Sequence, residues 1–176
     1  MKILIASDIH GDAHSCAALL SLFDYHKPDL LLLLGDLLYH GPRNPIPTHY
    51  DPRRVAELLS ARRDRILCVR GNCDGVVDQM MVDFPILSET AMLFVDGKIW
   101  MAAHGHRKGA NPSENDLPAL PTGSVFLSGH THIPVHAIDE KGILRINPGS
   151  ITFPKGDSVK QCLLYENGTF LPLNIE

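Results

Sequence analysis

The chain has 176 residues, enough for about one domain at roughly 150 residues each, and 44% of them are apolar against 20% charged. That balance excludes a disordered chain and supplies a core able to fold alone. A net charge of -4, from 16 Lys and Arg against 20 Asp and Glu, excludes a broad basic footprint for nucleic acid, and no apolar run approaches the roughly 18 residues of a membrane span.

In chain order, residues 2–6 form a short apolar run that Asp8 and His10 interrupt at once. The start therefore lacks the long apolar stretch and cleavage site of a signal peptide, and a soluble, cytoplasmic protein is expected. Residues 14–25 carry Cys16, Leu19, Leu20 and Phe23 at helical spacing, with Asp12 placed to cap them and Pro28 to end the pattern. Residues 30–34 are all leucine and read as a strand buried on both faces. A second helix is expected over 53–61, entered after Pro52, and a third strand over 66–70. Strands separated by helical crossovers argue for a parallel βαβαβ core with right-handed connections.

After Gly75 the helical signals fade. Hairpins are expected over 91–103 around Asp96-Gly97, over 135–146 around Lys141-Gly142, and over 160–173 around Asn167-Gly168. A further strand is expected over 125–128. Crossovers followed by hairpins suggest two mixed β-sheets packed face to face with helices outside, a four-layer αββα sandwich of α/β class in one domain spanning 1–176. The Pro-rich stretches 41–52 and 111–121 read as loops over a site. Arg53, Arg54, Arg62, Arg63 and Arg65 read as a solvated helix face, and the four cysteines, without a Cys-x-x-Cys pair, as thiols.

The unusual component is histidine, with ten in the chain, because imidazole is the commonest metal ligand. Polar residues follow each expected strand: Asp8 and His10, then Asp36, then Asn72 and Asp74, then His104 and His106, then His130 and His132. Strand ends of one sheet meet at one edge, where ligands bind. Each group is accompanied by glycine (Gly11, Gly35, Gly71, Gly105, Gly129), which permits tight turns around a crowded centre. In an extended segment, Asp8 with His10 and His130 with His132 each point one way, which makes two ions natural. Imidazole, carboxylate and one amide oxygen, without thiolate, suit Mn²⁺, Fe²⁺, Co²⁺, Ni²⁺ or Zn²⁺, with Mn²⁺ the first expectation. Taken singly, each motif is equally a turn or a cap; the joint occurrence carries the reading.

The series Asp8-Ile9-His10, Gly35-Asp36, Gly71-Asn72-Cys73-Asp74, His104-Gly105-His106 and Gly129-His130-Thr131-His132 resembles that of the calcineurin-like metallophosphoesterases across nearly the whole chain. The segments 40–44, 70–74, 147–150 and 154–156 are similar to the bacterial YfcE-type phosphodiesterases. The resemblance implies one ion held by Asp8, His10 and His132, another by Asn72, His104 and His130, and Asp36 bridging both, with hydroxide attacking phosphorus directly. It implies catalytic parts for Asp36, Asn72, Cys73, Asp74 and His106. Asp74 is expected to orient a ligating histidine, and Ser7 and Ser150 to act only as backbone or supporting partners.

Cys73 departs from the pattern, since many relatives carry His there to stabilise the transition state or protonate the leaving oxygen. A thiol does this poorly, so slow turnover and dependence on good leaving groups are expected. His106 or His40 could supply the proton, or be supporting and surface histidines; Arg43 could clamp a phosphate or be an exposed loop cation. His14, His26, His49 and His136 receive no role.

The resulting expectation is a phosphoric diester hydrolase acting on a small-molecule phosphodiester, with no membrane or nucleic-acid partner. A homo-oligomer, dimer or tetramer, is expected. The alternatives are a protein-binding scaffold of the same fold, as in the retromer subunit that shares it, and a phosphomonoesterase or dinucleoside polyphosphatase. Activity should fall below about pH 6, where the histidine ligands protonate.

Overall fold

The computed structural model describes residues 1–106 and 119–176, and these contain ten strands and three α-helices. The first half is the expected crossover unit. Strand β1 (Ile3–Ala6) leads into helix α1 (Ala13–His26), strand β2 (Leu30–Leu33), helix α2 (Pro52–Ser60) and strand β3 (Ile66–Cys68). All three strands run parallel, in the order β3-β2-β1.

The local chemistry explains the boundaries. Asp12 caps α1 by accepting from the Ser15 N–H at 2.7 Å, and Lys27 closes it in the left-handed region just before Pro28. Helix α2 starts one residue earlier than expected because Asp51, not singled out in the sequence, caps it at the Arg54 N–H, with Pro52 in the first turn. Strand β3 stops at Cys68, beyond which the Arg70 N–H turns to Ser88.

The second half contains the three hairpins. Strands β4 (Thr90–Val95) and β5 (Lys98–Ala103) turn at Asp96-Gly97; after β6 (Val125–Leu127) come β7 (Val135–Ile138) and β8 (Leu144–Asn147); β9 (Gln161–Glu166) and β10 (Thr169–Asn174) turn at Asn167-Gly168. Asp96, Gly97, Asn167 and Gly168 all have positive φ, as two-residue turns of matching twist require. One correction falls after Gly75. A single helical turn, α3 (Val76–Gln79), forms there, started by the Asp78 carboxylate accepting the Gly75 N–H at 2.7 Å. It is too short to leave a periodic signal.

Two five-stranded mixed sheets result, ordered β10-β9-β1-β2-β3 and β4-β5-β6-β8-β7. Strand alternation sorts the leucines: Leu31 and Leu33 pack with Leu4, Cys16, Leu19 and Phe23 beneath the helices, while Leu32 and Leu34 enter the core between the sheets with Ile3, Ile5, Trp100, Val125 and Leu127. On the far side of the second sheet, Met101, Ala103, Phe126 and Ile143 form a small cluster joined by Leu120, with no described helix in it. The expected loop at 111–121 lies largely outside the described residues. No described helix is long and apolar enough to cross a membrane.

The topology matters for function because β1, β2 and β3 in one sheet, and β5, β6 and β8 in the other, are parallel sets. Six strand exits are thereby gathered at one rim. Arg53, Arg54 and Arg63 face solvent as expected, beside Glu57 and Asp64, whereas Arg62 is half-buried and paired with Asp24.

Candidate metal centre

The rim collects the residues that the sequence places after its strands. Asp8, His10, Asp36, His104 and His132 are fully buried together. Asp8 Oδ1 lies 3.3 Å from His132 Nε2, 3.6 Å from His10 Nε2 and 4.0 Å from His104 Nε2, and Asp36 Oδ2 lies 3.4 Å from His104 Nε2 and 3.8 Å from His10 Nε2. Asn72 Oδ1 sits 3.1 Å from His104 Nε2 and 2.7 Å from His130 Nδ1. Asp36 thus stands between a group of Asp8, His10 and His132 and a group of Asn72, His104 and His130.

The pairs do not converge by strand alternation, as the sequence suggests. Asp8, His10, Asp36, His130 and His132 all have φ between 49° and 65°, so each sits in the left-handed region that L-residues avoid. Such strain persists only where surrounding bonds enforce it. Here Ser150 Oγ donates to the Asp8 carbonyl and Thr152 Oγ1 to the Ile9 carbonyl, both at 2.8 Å, and Asn147 Nδ2 donates to the Gly129 carbonyl at 2.7 Å. The 147–152 segment at the end of β8 is therefore the brace of the loops that carry Asp8 with His10 and His130 with His132. Sequence reasoning missed this role for Asn147 and Thr152, because a side chain serving distant carbonyls leaves no local pattern.

The imidazoles are oriented for ligation. His10 Nδ1 donates to the Tyr39 carbonyl (3.0 Å), His104 Nδ1 to the Leu34 carbonyl (2.6 Å) and His132 Nδ1 to the Phe153 carbonyl (2.7 Å). A carbonyl can only accept, so Nδ1 carries a hydrogen and, in the neutral imidazole that ligates a metal, the Nε2 lone pair faces the centre. His10 Nε2 and His132 Nε2 then oppose each other at 3.3 Å, beside an Asp8 Oδ1 that has no hydrogen-bond partner. Facing lone pairs and an orphaned buried carboxylate oxygen fit a divalent cation. One element of the expected donor set changes: Cys73 Sγ comes within 4.8 Å of the ligand atoms of His10 and Asp36, so sulfur borders the centre.

Without a cation, the charges respond to one another. Burial would raise the Asp8 carboxyl, but contacts with His10 and His132 hold it well below its ordinary value; burial would lower His104, but Asp36 and Asp8 lift it to about 9. His130 is pushed down to about 4, by burial and then by the positive charge on His104. Burial and then the Asp36 carboxylate push the Cys73 thiol up, so it stays protonated. Because the His104 pKa is raised from 6.5, its charged form stabilises the metal-free fold fully below pH 6.5, and that contribution is lost as pH rises through about 9. Metal binding has the opposite sign, since the ligand must be neutral. Over that window the metal-free melting temperature is expected to fall while the increase on adding Mn²⁺ grows; parallel curves would contradict the linkage.

Asp74 differs from expectation. It touches no histidine; its oxygens accept from the backbone N–H groups of Asp36 (2.8 Å), Leu37 (2.9 Å) and Gly71 (2.7 Å). It ties the β2 and β3 exits together, and Gly71 has no room for a side chain, since a Cβ there would lie 2.1 Å from Asp36 Oδ1. Asp74→Ala would leave three buried donors unpaired, an expected loss of roughly 3 kcal/mol or more in urea unfolding. An unchanged midpoint would remove this assignment.

His106 lies beside the centre, its ring 5.5 Å from His104 and 6.2 Å from His130. His40 is instead held between Tyr39 and Tyr50 at 4.7 and 5.4 Å. His14 pairs with His49, His26 with Tyr25 and His136 with Phe170, away from these ligands. A cavity of about 480 Å³ opens over the centre, lined by Asp36, Asn72, Cys73, His130, Arg43 and Lys155 among others.

This fold and this cluster define a metallophosphoesterase-type protein, and the chain belongs to the calcineurin-like phosphoesterase superfamily, whose domain model matches residues 1–169. It is 41% identical over 157 residues to phosphodiesterase YfcE of Escherichia coli strain K12, covering 89% of this chain and 82% of that one. The solved structure of YfcE, a phosphoesterase from E. coli, superposes with a TM-score of 0.89 at 35% identity over 100% of both chains. Vacuolar Protein Sorting 29 from Cryptosporidium parvum superposes with a TM-score of 0.65 at 15% identity over 98% of this chain and 95% of that one, a likeness of fold alone.

Proposed function

We propose that this protein is a metal-dependent phosphodiesterase that hydrolyses small phosphodiesters at a two-ion centre. The carrying observation is the inward-facing set of Nε2 lone pairs around the orphaned Asp8 oxygen, with every ligand position of the resemblance present. The 41% identical relative, itself named a phosphodiesterase, supports the diester over the monoester. Asp8, His10 and His132 would hold one divalent ion, and Asn72, His104 and His130 the other, with Asp36 shared. When bound, such ions supply Lewis-acid charge for a phosphoryl oxygen and lower the pKa of water.

The remaining chemistry belongs to the side chains. Asp36 Oδ1 accepts the Cys73 N–H at 2.7 Å, which fixes the carboxylate plane and places the thiol at the cavity wall. The protonated thiol is a weak donor to a leaving oxygen, and His106 is near enough to the centre to share that task. The one thiol on the cavity lining among the described residues, Cys73, stays protonated, in keeping with direct attack by water.

The test is to strip the protein with chelator, restore Mn²⁺, and compare bis(p-nitrophenyl) phosphate with p-nitrophenyl phosphate. Hydrolysis of the diester is expected only with metal, at several times the monoester rate. Metal binding without hydrolysis of either ester would favour the scaffold reading.

A further inference from the structure

We infer that Arg43 and Lys155 form a second anion site, so that the preferred diester carries an additional phosphate on the alcohol that is not released. The inference rests on the phosphodiesterase reading and names its substrate class. Both side chains line the cavity that holds His10, Asp36 and Cys73, and they come from different loops, after β2 and after β8. Both loops are tied to the centre: the Lys155 N–H donates to the His132 carbonyl at 3.1 Å, and the Tyr39 carbonyl, at the start of the loop that carries Arg43, accepts from His10 Nδ1 at 3.0 Å.

What singles Arg43 out among the arginines is the lack of a partner. Among the described residues, each other arginine has a carboxylate, a carbonyl or a ring: Arg53 and Arg54 have Glu57, Arg62 has Asp24, Arg63 has Asp64, Arg65 has Phe23 and the Pro28 carbonyl, Arg70 has Glu89, and Arg145 has Asp139. Arg43 has none of these, nor has Lys155 a carboxylate, in a chain with 20 acidic residues against 16 basic ones. A scissile diester has one negative charge, which the proposed ion centre already serves. Two further cations lining the same cavity suit a dianion, which a guanidinium grips through two parallel N–H donors. The cavity volume of about 480 Å³ accommodates a nucleotide-sized molecule.

The Mn²⁺-loaded protein would be assayed on thymidine 5′-(p-nitrophenyl phosphate) and on the same diester bearing a 3′-phosphate. The scissile bond and leaving group are identical, so only the second anion differs. The 3′-phosphate is expected to lower KM about tenfold with kcat little changed, an advantage that shrinks at high salt. In Arg43→Ala/Lys155→Ala the advantage is expected to vanish, whereas Lys27→Ala, at the end of α1, keeps it. Calorimetric titration with thymidine 3′,5′-bisphosphate and with thymidine 5′-phosphate gives the same comparison without turnover. Equal KM values and equal affinities in the wild-type protein would overturn the inference, as would loss of the advantage in Lys27→Ala. A marked preference for p-nitrophenyl phosphate would also overturn it, since the cations would then serve a monoester. If no diester is hydrolysed, including bis(p-nitrophenyl) phosphate, the phosphodiesterase reading has failed by itself, and the calorimetric comparison still decides the anion site.

Discussion

Asp36→Asn is expected to lower kcat/KM for bis(p-nitrophenyl) phosphate by about 10³-fold or more, beyond the roughly 10–100-fold typical for loss of an outer partner. The asparagine keeps an oxygen to accept the Cys73 N–H, so the loop between β3 and α3 stays in place. What it loses is the charge shared between His10 and His104, at 3.8 and 3.4 Å. Two measurements separate this from misfolding. Bound metal per chain should fall, and the His104 pKa, lifted to about 9 with Asp36 a principal cause, should drop in the metal-free variant. A variant that retains wild-type turnover would remove Asp36 from the chemistry.

Cys73→His should act in the opposite direction. The thiol lines the cavity with its Sγ within 4.8 Å of ligand atoms of His10 and Asp36, and burial and Asp36 keep it protonated. An imidazole there could donate a proton to the departing oxygen, a contribution of roughly 10²-fold at the low end of general acid catalysis. The gain is expected on esters with poor leaving groups, such as alkyl esters, and to be small for p-nitrophenol, which leaves unaided. The check is the slope of log kcat against leaving-group pKa, which should flatten. An equal gain across all leaving groups would point to altered metal loading instead, and no gain on alkyl esters would show that a neighbour such as His106 already donates the proton.

The site was legible to different depths. Asp8, His10, Asp36, Asn72, His104, His130 and His132 could be picked out because each follows an apolar strand by a residue or a few, and parallel strands deliver their exits to one edge. Their conformation could not be picked out in the same way. The left-handed backbone at Asp8, His10, His130 and His132 is braced by Ser150, Thr152 and Asn147, far along the chain from Asp8 and His10, and that at Asp36 by Asp74. Asp74 shows the same limit: its place in the motif suggested a partner for histidine, but its geometry made it a clasp for three backbone N–H groups. The one-turn helix α3 escaped notice because four residues cannot display a 3.6-residue period.

By itself the sequence determined the α/β class, the crossover half and the hairpin half. Alternation, apolar runs and Asp-Gly or Asn-Gly turns are local signals whose physics acts within a few residues. It also determined the chemical inventory: histidine, carboxylate and one amide, with a cysteine among them. Only the tertiary structure decided which nitrogen of each imidazole faces the centre, since that depends on carbonyls of Leu34, Tyr39 and Phe153 supplied by other loops. It alone left Asp8 Oδ1 without a partner and brought Arg43 and Lys155 to one cavity. Donor direction and charge pairing are properties of space, created when distant segments meet, and no run of residues contains them.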